Sequence, residues 1–306
     1  METLNGLIIR CQSGFFTVQT GSGRLVCRLR GRLKQGLLSG DIATTGDRVT
    51  VSPQADGSGM IESVEPRVRA LVRLAPLPRG VYQQVLLANL DLAAFVFACA
   101  EPRPHLRMLD RFLVIAEKQA IPVLIIANKV DLTGLAQAEA IFDHYNGLGY
   151  PVIYTSARSG QGLEDLRQRL ENKITALSGP SGVGKSSLLN ALQPGLGLVV
   201  REVSETHLRG RHTTVVRELF PLDAGGYVAD MPGIKALALW DTQPEELDGY
   251  FPELRDLVSQ CQFSNCSHRS EPGCAVRAAV ENGQVHQERY ISYLRLRYGD
   301  ASGAHI

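Results

Sequence analysis

The sequence lacks any uninterrupted apolar run of the roughly 18 residues that a membrane-spanning helix needs. Its start also lacks the basic-then-apolar pattern of a secretory signal. A soluble, cytoplasmic chain with no membrane partner is therefore expected. Charge of one sign is missing too: 32 Lys and Arg face 31 Asp and Glu, for a formal net charge of +1. The chain as a whole is thus no electrostatic magnet for nucleic acid. Internal repeats and low-complexity tracts are absent, which excludes solenoids and fibrous arrays. Cysteine is sparse, and Cys11, Cys27 and Cys99 stand alone in apolar sequence as core thiols.

The 306 residues present suffice for two or three domains. Up to about Arg73 the pattern is of short strands over 7–10, 15–20, 24–29, 48–52 and 60–64, separated by clusters such as Ser13-Gly14 and Gly21-Ser22-Gly23. Among small closed barrels that fit, an OB-like fold is the most economical. Basic residues, including Arg24, Arg28, Arg30, Arg32 and Lys34, outnumber acidic ones here. Such a module can meet phosphate, or can simply present a solvated charged face.

From Leu74 onward, long apolar runs alternate with helical stretches, as buried parallel strands with crossover helices require. Strands are expected over 91–99, 121–127, 152–155 and 174–177, and helices over 105–118, 163–170 and 186–192. A surface helix over 135–145 shows no evident chemistry. Pro244 and Pro252 flank a short helical piece, and a terminal helix is expected over 285–298. The expected division is a barrel domain over 1–73, an α/β domain over 74–242 and a small, mostly helical domain over 243–306.

Gly179, Pro180, Ser181, Gly182, Val183, Gly184, Lys185 and Ser186, followed by Ser187, fit G-x-x-x-x-G-K-S between a strand and a helix. The glycines let backbone N–H groups turn onto phosphates, and the helix N-terminus adds its dipole. Lys185 is expected to contact the β- and γ-phosphates, and Ser186 to offer its hydroxyl to Mg2+. Asn128-Lys129-Val130-Asp131 and Ser156-Ala157-Arg158 convert phosphate binding into guanine selectivity. The Asp131 carboxylate can accept from guanine N1–H and N2–H, an arrangement that adenine cannot satisfy. Asn128 is expected to brace the base-binding loops, Lys129 to lie along the base, and the Ala157 N–H to meet guanine O6.

Asp230 is expected to hold Mg2+ through water, and the Gly233 N–H to reach the γ-phosphate. Thr213 or Thr214, with Thr214 preferred, would close over the metal. Ile234 stands where many GTPases carry a water-orienting glutamine, so intrinsic hydrolysis should be slow. His212 is a catalytic candidate for positioning water; the competing reading is a structural or partner-facing histidine. Near the C-terminus, Cys261-x4-Cys266-x-His268-x5-Cys274 supplies three thiolates and an imidazole. This donor set closes a tetrahedral Zn2+ shell, one per chain, with no position left for water, so the site is structural.

The order of these motifs is unusual, because the guanine-reading motifs precede the phosphate loop. A Ras-like P-loop GTPase has the reverse order, so the chain resembles a circularly permuted one. Permutation costs little where the original termini lie close together. Together with Thr44-Thr45-Gly46-Asp47-Arg48-Val49, Glu101-Pro102, the segment ending His212-Thr213-Thr214 and Asp230-Met231-Pro232-Gly233, the cysteine cluster completes a resemblance to the RsgA family. These are bacterial GTPases that depend on the small ribosomal subunit.

The resemblance implies an OB-fold, a permuted GTPase domain and a zinc-binding tail. It also implies GTP hydrolysis to GDP and phosphate, stimulated by the small (30S) subunit late in that subunit's maturation. The partners implied are the subunit and its rRNA, met by a monomer, with Arg28, Arg30 and Arg32 as RNA contacts and Phe15 and Phe16 as core. Gly182 stands where potassium-activated GTPases often carry asparagine, so a potassium requirement is not assumed. The alternative is a nucleotide-stabilised RNA-binding zinc protein without ribosome-stimulated turnover.

Overall fold

Apolar residues alternating with polar ones build the first unit, because successive side chains in a strand point to opposite faces. In the computed structural model, which describes residues 3–34, 41–74, 83–196, 217–231 and 242–299, five strands form it: β1 (Leu4–Gln12), β2 (Phe15–Thr20), β3 (Gly23–Leu29), β4 (Arg48–Pro53) and β5 (Gly59–Val64). Their order is β1-β2-β3-β5-β4, and β4 pairs back onto β1, so the barrel closes and leaves no free edge. Strands β3 and β5 run parallel. Ile8, Phe16, Val18, Cys27, Val49, Val51 and Ile61 fill the interior.

Adjacent residues cannot both face inward, so the two phenylalanines part company. Phe16 is core as expected, whereas Phe15 is 43% exposed and carries the Arg28 guanidinium 4.7 Å from its ring centroid. A hairpin of β6 (Ala70–Leu74) and β7 (Gln83–Ala88) follows the barrel. The Thr44–Val49 motif ties these units together. Asp47 is fully buried, accepts from the Thr44 N–H at 2.7 Å and pairs with Arg67 at 2.8 Å. Gly46 N–H donates to the Ile8 carbonyl at 2.8 Å, and Ala88 N–H donates to the Thr45 carbonyl at 3.0 Å.

The α/β unit contains β8 (Leu92–Ala98), α1 (Leu106–Lys118), β9 (Val123–Asn128), α2 (Leu135–Phe142), α3 (His144–Gly147), β10 (Val152–Thr155), α4 (Leu163–Leu170), β11 (Ile174–Ser178) and α5 (Lys185–Leu192). It continues through β12 (Arg217–Glu218), β13 (Phe220–Pro221) and β14 (Tyr227–Asp230). The sheet order is β10-β9-β8-β11-β14-β13, parallel except for β13. Every residue of β8, β9 and β11 is buried, as central parallel strands covered on both faces demand. Strand β12 leaves this sheet and pairs with β1, matching Arg10 to Glu218 and Cys11 to Arg217. One short stretch of chain therefore serves both the barrel and the α/β sheet.

The C-terminal unit comprises a 3-10 turn at Pro244–Tyr250 and helices α6 (Pro252–Val258), α7 (Ala275–Glu281) and α8 (Gln287–Tyr298). Val114 of α1 joins the apolar cluster of Leu247, Phe251 and Leu254, so the unit shares its core with the α/β domain. At the joint Arg289 is 1% exposed and donates to Asp110 of α1 at 2.7 Å and to Glu253 of α6 at 2.6 Å. The Tyr145 hydroxyl donates to the same Asp110 oxygen at 2.8 Å. The expected surface helix over 135–145 is thus two helices, and its last residue is buried in this joint. Burial alone would lower the Arg289 pKa, but the two carboxylates override it and raise it.

Removing one member of such a buried set strands the others without compensation, at a cost of about 3–5 kcal/mol. Arg289→Met should therefore lower the unfolding free energy by about that amount, as read from the denaturant midpoint. A change below about 1 kcal/mol would show the joint to be solvated in solution.

Candidate nucleotide and metal sites

The strands that carry the sequence motifs end side by side. β9 delivers Asn128, β10 runs into Ser156 and Ala157, β11 runs into Gly179, and β14 ends on Asp230. Ligands of open α/β sheets bind outside these carboxyl ends. Helix α5 begins at Lys185, so the glycine-rich loop sits at a helix N-terminus, as phosphate binding requires.

Asn128 links the base-reading and phosphate-binding loops. Its side-chain amide donates to the Val183 carbonyl at 2.9 Å, while its oxygen accepts from the Thr155 hydroxyl at 3.1 Å. The approach is close enough that a Cβ on Gly184, where φ is +92°, would lie 2.6 Å from the Asn128 amide nitrogen. A Cβ on Gly179 would meet the Val96 carbonyl oxygen at 2.1 Å. These two glycines let the phosphate loop nest against β8 and β9.

The Ser156 hydroxyl donates to Asp131 at 2.6 Å and accepts from the Ser159 N–H at 3.1 Å. This pair fixes the carboxylate while leaving its remaining lone pairs for a ligand. Lys129 takes a left-handed backbone, φ 64°, and its ammonium donates to the Glu101 carbonyl. Asn128, Lys129, Asp131, Ala157, Gly184 and Ser187 line a cleft of about 400 Å³, together with Leu132 and Arg158. The motif reading did not assign Leu132 to the site; its signal is an apolar side chain, 46% exposed, next to the base-reading aspartate.

On the phosphate side, the Lys185 ammonium donates to the carbonyls of Gly179 and Pro180 at 2.9 and 2.8 Å. One Asp230 oxygen is buried with no hydrogen-bond partner among the described residues. Burial raises the Asp230 pKa, and nearby Lys185 draws it back down. A buried carboxylate oxygen left bare beside a phosphate loop fits a hydrated divalent cation, since such groups otherwise stay paired. His212, Thr213, Thr214 and Gly233 lie outside the described residues.

The expected metal ligands converge. The donor atoms of Cys261, Cys266, His268 and Cys274 all lie within 4.8 Å of one another. His268 is fully buried, and its Nδ1 sits 3.6 Å from the Cys261 sulfur and 3.4 Å from the Cys274 sulfur. A tetrahedral Zn2+ with ordinary bond lengths places nitrogen and sulfur about 3.6 Å apart. Burial raises the thiol pKa values of Cys266 and Cys274, so thiolates here need a neighbouring cation.

The expected RNA contacts on the barrel are less free than their charge suggests. Arg30 and Arg32 both pair with Glu62, at 2.6 and 3.3 Å. Arg28 instead lies over Phe15, giving an exposed aromatic and cation pair.

Comparison with known proteins matches the same regions. The RsgA GTPase family profile matches residues 64–240, and the RsgA N-terminal domain profile matches residues 5–61. The small ribosomal subunit biogenesis GTPase RsgA of Gemmatimonas aurantiaca is 45% identical over 296 residues, covering 95% of this chain and 96% of that protein. Its namesake in Thermotoga maritima is 41% identical over 299 residues, covering 96% and 95%. The crystal structure of YjeQ from Thermotoga maritima superposes with a TM-score of 0.78 at 36% identity, covering 97% of this chain and 98% of that one. YloQ, described as a circularly permuted GTPase, gives 0.73 at 33% identity, covering 97% and 94%. With the barrel order, the permuted sheet and the converging motifs already in place, the chain belongs to the RsgA GTPase family.

Proposed function

We infer that this chain hydrolyses GTP to GDP and phosphate and acts in biogenesis of the small ribosomal subunit, late in its maturation and with stimulation by that subunit. The observation that carries the reading is the single cleft in which Asn128 joins the guanine-reading loop to the phosphate loop. Family membership supports the activity, and the names of the relatives support the partner.

In this reading Asp131 accepts from guanine N1–H and N2–H, the Ala157 N–H meets O6, and Lys129 lies along the base. Backbone N–H groups of the glycine-rich loop after Pro180, residues 181–187, would hold the phosphates with Lys185. Ser186, Thr214 and, through water, Asp230 would hold Mg2+, which neutralises charge developing on the transferred phosphoryl group. Thr213 is the alternative switch ligand, the Gly233 N–H would meet the γ-phosphate, and His212 would orient water.

The proposed division is a barrel over 1–73 facing rRNA, a GTPase domain over 74–242 and a zinc domain over 243–306, working as a monomer in the cytoplasm. Among the described residues no helix is long and apolar enough to cross a membrane.

GTP hydrolysis measured with purified small subunits, large subunits or neither should rise strongly with small subunits alone. Tight GTP binding without such a rise would favour the nucleotide-stabilised RNA-binding protein instead.

An amide at position 131 keeps one acceptor and gains a donor, which complements xanthine rather than guanine. Asp131→Asn should weaken GTP binding by about a hundredfold or more and improve XTP binding. Unchanged GTP affinity would remove Asp131 from the base site.

The Cys3His cluster should retain one Zn2+ per chain after purification under reducing conditions, as measured by elemental analysis. Cys266→Ser should lose it, with a lowered melting temperature that added zinc does not restore.

A further inference from the structure

The imidazole of His268 is held from several sides. Its own backbone is left-handed, φ 59°, and its carbonyl accepts from the Tyr290 hydroxyl of α8 at 2.5 Å. Nδ1 faces the thiols of Cys261 and Cys274. On the opposite side of the ring, Nε2 lies 3.2 Å from a carboxylate oxygen of Asp248. Asp248 belongs to the Pro244–Tyr250 turn, outside the ligand loop, and Arg297 of α8 stands 3.8 Å from the same carboxylate oxygen. Leu247, next in that turn, packs in the apolar cluster that includes Val114 of α1.

We propose that Asp248 is the positioning residue of the metal site: it accepts the Nε2–H of His268 and fixes the ring orientation and the tautomer that leaves Nδ1 free to ligate. The inference rests on the Cys3His zinc reading. A neutral imidazole carries its proton on one nitrogen, so a ring that ligates through Nδ1 must donate from Nε2. A carboxylate is the strongest acceptor for that proton. Because Asp248 comes from the turn that docks on α1, the metal ligand is oriented by the same segment that seats the C-terminal domain. The His268 contact and the docking contact therefore come from adjacent residues of one turn.

The test uses the full chain. Zinc affinity is measured by competition with a chromogenic chelator, and Co2+ substitution reports ligand geometry through its visible bands. Asp248→Ala should weaken zinc binding by about 10–100-fold and alter the Co2+ ligand-field bands, while the thiolate charge-transfer band persists. Asp248→Asn keeps the shape and one acceptor oxygen, so it should fall between Asp248→Ala and the unaltered chain in affinity and release zinc several-fold faster than the latter. Should Asp248→Ala fail to fold, the release rate of Asp248→Asn decides alone. Equal affinity, equal release and an unchanged Co2+ spectrum overturn the role of Asp248. An unaltered chain that binds no zinc overturns the metal reading and this inference with it, so the two failures are distinguishable.

Discussion

The hydrogen bond from the Asn128 side chain to the Val183 carbonyl is the constraint on which the nucleotide cleft depends. It joins two loops 55 residues apart, one from each part of a permuted chain. Both partners are buried, so losing either leaves a polar group unsatisfied at a cost of about 1–3 kcal/mol. The bare approach at Gly184 exists because this amide occupies the space that a side chain would need. Thr155, at the end of β10, completes the brace by donating to the other end of the same carboxamide. Two strand ends and the phosphate loop are thereby fixed relative to one another before any ligand arrives, which lowers the ordering cost of binding.

Permutation leaves this arrangement intact because ligand geometry follows the spatial order of strands, not their order along the chain. The phosphate-loop strand β11 lies between β8 and β14 in the middle of the sheet. What permutation changes is where the flanking units attach. The barrel is joined through the 44–47 turn and through β12, and the C-terminal unit is seated on α1 by Arg289 and Val114. A tail held by a buried guanidinium between two carboxylates is not a loosely tethered arm. Nucleotide-dependent changes that reach it must act against that joint.

The motif-bearing parts were legible from residues alone, for a physical reason. Phosphate loops, guanine-reading loops and thiolate clusters are short-range chemistries, each of whose spacings is set within about fifteen or fewer residues. Strand β10 and helix α4 match their expected bounds, and α1 differs by one residue at its start. Long-range contacts were not legible. Nothing local announces that Asp110, Tyr145, Glu253 and Arg289 meet, or that Glu62 pairs with both Arg30 and Arg32. The β6–β7 hairpin is likewise absent from the strands expected from sequence.

The two sites make opposite demands on the fold. The nucleotide cleft needs a large, rigid sheet, since its donors are backbone groups and side chains at separate strand ends. The cysteine cluster needs almost none, because its donors fall within one short loop. Cys266 and Cys274 nevertheless belong to the apolar cluster that contains Val276, Tyr293 and Leu294. Four donors whose chemistry is compatible with a tetrahedral metal, all within 4.8 Å of one another, are thus built into the core of a small unit. The large domain is built on buried parallel strands, whereas the small one packs its apolar cluster against Val114 of α1. Its buried Arg289 works in the same direction, bonding Glu253 of its own α6 and Asp110 of the neighbouring α1 at once.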